Sequence, residues 1–157
     1  MKKLAFVFLS LFFLFSLCSC SQQNSDPVLE SLPEYKSAEH YSSGGFQDYT
    51  DFAKYSYESI DVQNIEKSKY FSPVTPDDAT EILLHINNFE QWVETSGGDL
   101  KENYDFDKNV ISDGDFFYIE TKAVEPVGKE AYGKYDNYSV YYFDIGTNVL
   151  YYFHSNI

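Results

Sequence analysis

Asn137-Tyr138-Ser139-Val140-Tyr141-Tyr142-Phe143-Asp144, then Ile145-Gly146-Thr147-Asn148, then Val149-Leu150-Tyr151-Tyr152-Phe153-His154-Ser155 is the stretch whose reading decides the fold. Aromatic and β-branched residues crowd both runs and turn formers fill the gap, so the pattern predicts a β-hairpin with Asn148 in the left-handed region. Closing the loop on Asp144 and Val149 sets the register. Tyr142 then faces Tyr151 and Val140 faces Phe153 on one side, while Phe143 faces Leu150 and Tyr141 faces Tyr152 on the other. A sheet with one wet side alternates apolar and polar residues, whereas here both faces are apolar or aromatic. Either a helix covers each face or one face presents tyrosines to a partner, burial under helices being the plainer reading.

Working outward, Asp115 to Lys122 reads as a further strand before the hairpin. The connection from Glu125 to Asp136 is long for a hairpin loop and carries Pro126, Gly128, Gly133, Tyr132 and Tyr135. Loops of that length are often functional, and tyrosine gives a large amphipathic contact at low entropy cost. Tyr132, Tyr135 and the adjoining Tyr138 are therefore the candidate partner-binding residues; the competing reading folds these rings over the sheet edge. Asn137-Tyr138-Ser139 matches a glycosylation sequon and is read as coincidence.

Further back, Thr75 is a helix cap, Pro76 suits the first helical position, and Asp77 and Asp78 favour the positive end of the dipole. Ile82, Ile86, Phe89 and Val93 form the buried stripe of this helix and Gly97-Gly98 stop it. Phe46 to Ile60 also shows helical spacing, with Phe46, Tyr49, Phe52, Ala53, Tyr57 and Ile60 on one broad face, although its aromatic and serine content leaves a strand open. The expected architecture is α+β: two helices followed by a three-stranded antiparallel β-meander, a single domain over residues 46–157.

The N-terminal end gives an address. Met1 to Leu4 are basic, Leu4 to Leu17 are apolar, and the run is too short to span a bilayer stably. Leu17-Cys18-Ser19-Cys20 resembles the bacterial lipobox, which implies a signal peptide over residues 1–19 and a diacylglyceryl thioether on Cys20. Cys18 is the poorer acceptor, because bulky Leu17 would fill the small-residue slot. Two acyl chains hold a protein to a membrane far better than one. Residues 20–45, polar and with Pro27 and Pro33, read as the lipidated cysteine and a flexible tether; a coil of that length averages roughly 28 Å end to end. Both cysteines lie in this leader, so no intramolecular disulfide is available beyond Cys20.

The chain carries 25 acidic residues against 11 lysines and has no arginine, a formal charge of −14. Loss of Lys2 and Lys3 with the leader leaves 9 basic residues against 25 acidic ones, or −16. Such a surface repels phosphate, so nucleic acid is set aside as a partner.

Chemistry-bearing motifs are sparse. His85 and His154 show no zinc spacing and read as structural or surface residues, and nucleophile-elbow and phosphate-loop signatures are missing. No catalytic residue, metal or cofactor is expected. Asp105-Phe106-Asp107-Lys108-Asn109 followed by Asp113-Gly114-Asp115 looks calcium-like. An EF-hand begun at Asp105 needs Gly at its sixth place and Glu at its twelfth, where Val110 and Phe116 stand. Turn-forming residues entering a strand explain the segment, with a looser calcium site on Asp105, Asp107, Asp113 and Asp115 left open.

Three stretches, Gly45-Phe46-Gln47-Asp48-Tyr49-Thr50-Asp51-Phe52-Ala53-Lys54-Tyr55, Asn103-Tyr104-Asp105-Phe106-Asp107, and the tail from Val140 to His154, resemble a group of uncharacterised lipoproteins from Gram-positive anaerobes. The resemblance covers most of residues 46–157. It implies a shared extracytoplasmic domain and carries over no mechanism. The expectation is a lipid-anchored module on the outer leaflet that binds a protein or cell-wall partner without catalysis. The alternatives are an acidic inhibitor of a cationic secreted hydrolase such as lysozyme, or a carboxylate-based wall glycan hydrolase.

Overall fold

A computed structural model describes residues 26–45, 48–122 and 135–157. Along the chain these form β1 (Ser37–Gly44), β2 (Tyr49–Ser56), α1 (Val62–Glu66), β3 (Ser72–Pro73), α2 (Pro76–Thr95), α3 (Asp99–Asn103), β4 (Phe116–Thr121), β5 (Asn137–Asp144) and β6 (Val149–Asn156). The strands make one six-stranded sheet in the order β1-β2-β6-β5-β4-β3, and every pairing is antiparallel. Helix and antiparallel sheet are both present, but the layout differs from the expected two helices and three-stranded meander. The N-terminal part supplies a β1-β2 hairpin that docks on β6, the last strand of the chain.

Two misreadings account for β1 and β2; the two-residue β3 and the five-residue helices α1 and α3 are too short to leave a periodic signal. Phe46 to Ile60 holds strand β2 rather than a helix. Because β2 lies between β1 and β6, Phe52 and Ala53 are both buried although they face opposite ways. That burial on two sides erases the alternation of a half-exposed strand and leaves an apolar spacing that imitates a helix. Part of the expected tether is folded as well. Ser37–Gly44 is a polar edge strand that only its pairing with β2 defines, and Val28 and Leu32 are buried against the sheet. Polar residues on an exposed edge deter pairing with foreign chains, which also strips the strand of any hydrophobic signature.

The hairpin takes the expected register, Asp144 opposite Val149, with Asn148 at φ 57°. Asp144 fixes the turn by accepting from the backbone N–H of Gly146 at 2.8 Å and the hydroxyl of Thr147 at 2.7 Å. Helix α2 starts at a reciprocal cap, the Thr75 side chain accepting from Asp78 N–H while the Asp78 carboxylate accepts from Thr75 N–H.

The two sheet faces are covered unequally. Ile82, Ile86, Phe89 and Val93 of α2, with Leu100 and Phe106, pack on Phe52, Val140, Tyr142 and Phe153. At 20 residues α2 is about 30 Å long, enough to cross five strand spacings of roughly 4.8 Å. The opposite face is covered by the Val28 arm and by Ile65 of α1, which pack on Phe143, Leu150, Phe116 and Tyr141. Five residues of helix reach only about 7.5 Å, so among the described residues this lid ends part-way along the strands.

Candidate functional site

Where the second lid ends, the sheet floors a cleft of about 330 Å³. Antiparallel register lays its floor out in rows. Tyr118, Tyr141 and Tyr152 stand side by side on β4, β5 and β6, with ring centroids 5.9 Å and 4.9 Å apart, and Tyr70 extends the row at 5.2 Å from Tyr118. Two residues along each strand lies a polar row: Glu120, Ser139, His154 and Asp51, on β4, β5, β6 and β2. Tyr49 closes the far side, its ring 5.1 Å from that of His154. The wall opposite is the arm, held by the Tyr141 hydroxyl, which donates to Asp26 Oδ2 at 2.8 Å, and by Asp26 Oδ1, which accepts from Val28 N–H at 2.8 Å.

Electrostatically the cleft is acidic and its aromatic groups are neutral. Burial holds the Tyr141 and Tyr152 phenols well above the ordinary tyrosine value, aided for Tyr141 by Tyr152 and Asp26. Burial likewise raises Tyr118, with help from Glu120. His154 is 6% exposed, and burial keeps its imidazole below the usual value against the pull of Asp51 and Glu120. Among the described residues three carboxylates, Asp26, Asp51 and Glu120, border the cleft against one lysine, Lys122. Asp26 is occupied by the arm, while Asp51 and Glu120 make no hydrogen bond or salt bridge among the described residues.

Ser139 Oγ lies 3.0 Å from His154 Nδ1, and Asp51 is the direct cross-strand neighbour of His154. A hydroxyl, an imidazole and a carboxylate in one row have the composition of a nucleophilic triad. The backbone argues otherwise. Strand N–H groups lie in the sheet plane and are taken up by the ladders on either side of β5, so they cannot point at a developing oxyanion.

The sequence-derived candidates fall elsewhere. Tyr138 is 1% exposed on the closed face, where its single hydroxyl proton is shared between the His85 carbonyl at 2.9 Å and Asn88 Oδ1 at 3.0 Å. It is a core residue and presents no surface to a partner. The reason is register: Tyr138 points to the same side as Val140 and Tyr142, under α2. Tyr135 is half-buried against that core, 4.8 Å from the His85 ring. Tyr132, like Cys20 and the signal peptide, lies outside the described residues. His85 is fully buried, its Nδ1 2.9 Å from the Glu81 carbonyl.

The four aspartates considered for calcium are dispersed. Asp105 pairs with Lys54 at 2.9 Å, Asp107 caps the 3-10 turn at Lys108–Val110, Asp113 is exposed, and Asp115 is buried, accepting from the Tyr142 hydroxyl and from Ile145 N–H. Among the described residues no cluster of three or more His, Cys, Asp or Glu is placed to hold a metal ion. Among the same residues no helix is long and apolar enough to cross a membrane.

No protein-family model, curated protein or solved structure matches the chain. The reading of the cleft accordingly stands on its own geometry.

Proposed function

We propose that this chain is a lipid-anchored extracytoplasmic binding module, without catalysis of its own, that seats part of a protein or cell-wall partner in the tyrosine-lined cleft. The observation that carries the reading is the uneven lid. One sheet face is packed under α2, while among the described residues the other borders a cleft with a row of tyrosine rings beside a row of hydrogen-bonding groups, the composition of ligand sites in general. The anchor part rests on the lipobox resemblance and Cys20.

A second reading, an acidic inhibitor of a cationic secreted hydrolase such as lysozyme, is supported by the charge of −14 and the acidic cleft. Opposite charge speeds encounter and makes binding salt-sensitive. The glycan hydrolase reading is weaker. The strand positions of Asp51 and Glu120 are three spacings apart, about 14 Å, so the two side chains would have to lean toward each other by several ångströms to reach the roughly 5–9.5 Å between the carboxylates of a glycosidase pair.

The test is side-by-side capture from wall and extracellular fractions with the full exported chain and with a Tyr118→Ser, Tyr152→Ser variant. A component held by the first and released by the second supports the cleft as the seat. Equal retention by both removes it. Detergent phase partition of the wild type and Cys20→Ala checks the anchor, and an unchanged distribution would refute it.

A further inference from the structure

The cleft as built favours one ligand chemistry over others, an inference that deepens the binding reading and rests on it. Asp51 and Glu120 stand at the two ends of the polar row and lack intramolecular partners among the described residues, while Ser139 and His154 between them are neutral hydrogen-bonding groups. Beside that row, the half-buried rings of Tyr118 and Tyr152 flank Tyr141, which is 4% exposed and holds Asp26 through its hydroxyl. Carboxylates at the ends and tyrosine rings alongside, set against the one lysine of the described lining, Lys122, favour a cationic ligand, because ring faces and carboxylates both attract positive charge and the stems of long cationic side chains pack on aromatic surface. A neutral glycan would gain from the rings and from Ser139, but it would leave both carboxylates desolvated without a counter-charge.

The spacing narrows the ligand further. The strand positions of Asp51 and Glu120 are about 14 Å apart across β2, β6, β5 and β4. An extended peptide advances about 3.3–3.6 Å per residue, so cationic side chains at positions i and i+4 span roughly 13–14 Å. We infer that the cleft binds an extended segment of a partner protein carrying lysine or arginine four residues apart, with one charge on Asp51, the other on Glu120, and the intervening backbone over Ser139 and His154.

The experiment uses the full exported chain, 15N-labelled, and follows amide shifts during titration. Three probes are compared: a blocked pentapeptide with lysine at its first and fifth positions and serine or glycine between, the same composition with the lysines adjacent, and chitotetraose. The expected result is saturable shifts at Ser139, Tyr141, Tyr152 and His154 with the end-spaced peptide and weaker binding with the adjacent-lysine peptide. Asp51→Asn and Glu120→Gln should each weaken the end-spaced peptide about two- to fivefold, the worth of one partly exposed ion pair, with the rest of the spectrum unchanged. Shifts at the cleft with chitotetraose but not with peptide overturn the cationic ligand and leave the cleft as a binding site. Equal affinity of the two peptides overturns the spacing, and binding indifferent to both substitutions overturns the charge assignment. No cleft shift with any probe at millimolar concentration removes the inference, and capture of a partner that the Tyr118→Ser, Tyr152→Ser variant releases would then separate its failure from that of the binding reading.

Discussion

Adjacent residues on β5 and β6 belong to two different surfaces. Val140, Tyr142 and Phe153 meet a helix about 30 Å long and are completely buried. Ser139, Tyr141 and His154, each one residue away and 4–6% exposed, and the half-buried Tyr152 face the shorter lid of the arm and α1. The strand composition of the two faces is similar, tyrosine-rich on both, so residue type does not decide which tyrosines pack under α2 and which line the cleft. The length of the covering element does. Hydrogen bonding follows that division. The Tyr142 hydroxyl is committed inward to Asp115 and the Val110 carbonyl, whereas Asp51 and Glu120 on the other face make no hydrogen bond or salt bridge among the described residues.

Substitutions on the closed face should produce the largest losses. Phe153→Ala empties a ring that contacts Phe52, Phe89 and Phe106, and should cost about 3–5 kcal/mol in urea denaturation. A cost under about 1 kcal/mol would mean that the α2 side is not the main core. Tyr142→Phe keeps the packing but strips the buried Asp115, 3% exposed, of one donor, an expected loss of about 1–3 kcal/mol by the same measurement. Thr75→Ala removes the cap of the covering helix and should cost about 0.5–2 kcal/mol.

The open face should answer to pH more than to truncation. Burial lowers the His154 pKa in the folded chain, so between that value and the unfolded value near 6.5 the unfolded chain binds a proton that the native state does not. Stability from this group is present above about pH 6.5 and is lost as pH falls. Asp51 and Glu120 pull its pKa up and Lys122 pulls it down, leaving burial in control. The urea midpoint should therefore fall from pH 7.5 to pH 5.5 in the wild type and fall less in His154→Gln; parallel curves would place the effect elsewhere. The smallest expected change is in Asp51→Asn, within about 0.5 kcal/mol of wild type, because the group makes no internal ion pair among the described residues.

Much of the closed face was legible in the sequence. The capped stripe of α2 and the hairpin register follow from the positions of Thr75, Pro76, Asp144 and Asn148 alone. That register already places Ser139 opposite His154, so half of the polar row could have been read directly. The rest could not. Asp51 joins the row only because β2 is a strand docked on β6, a pairing between distant parts of the chain that its helix-like spacing conceals. Asp26 and Val28 form the wall only because the arm folds back on Tyr141, in a stretch whose prolines and polar residues read as a tether. Tyr138 was misplaced because its neighbourhood, at the end of a long connection, suggested exposure, while strand parity assigns it to the core.

The division between faces is tested most directly at two consecutive residues that point opposite ways, Tyr152→Leu and Phe153→Leu, each compared with the wild type for urea stability and for calorimetric binding of the end-spaced lysine peptide. The account predicts that Phe153→Leu loses stability and keeps peptide affinity, whereas Tyr152→Leu keeps most of its stability and loses binding. Both variants losing stability together with affinity unchanged in each, or both losing binding alike, would contradict it.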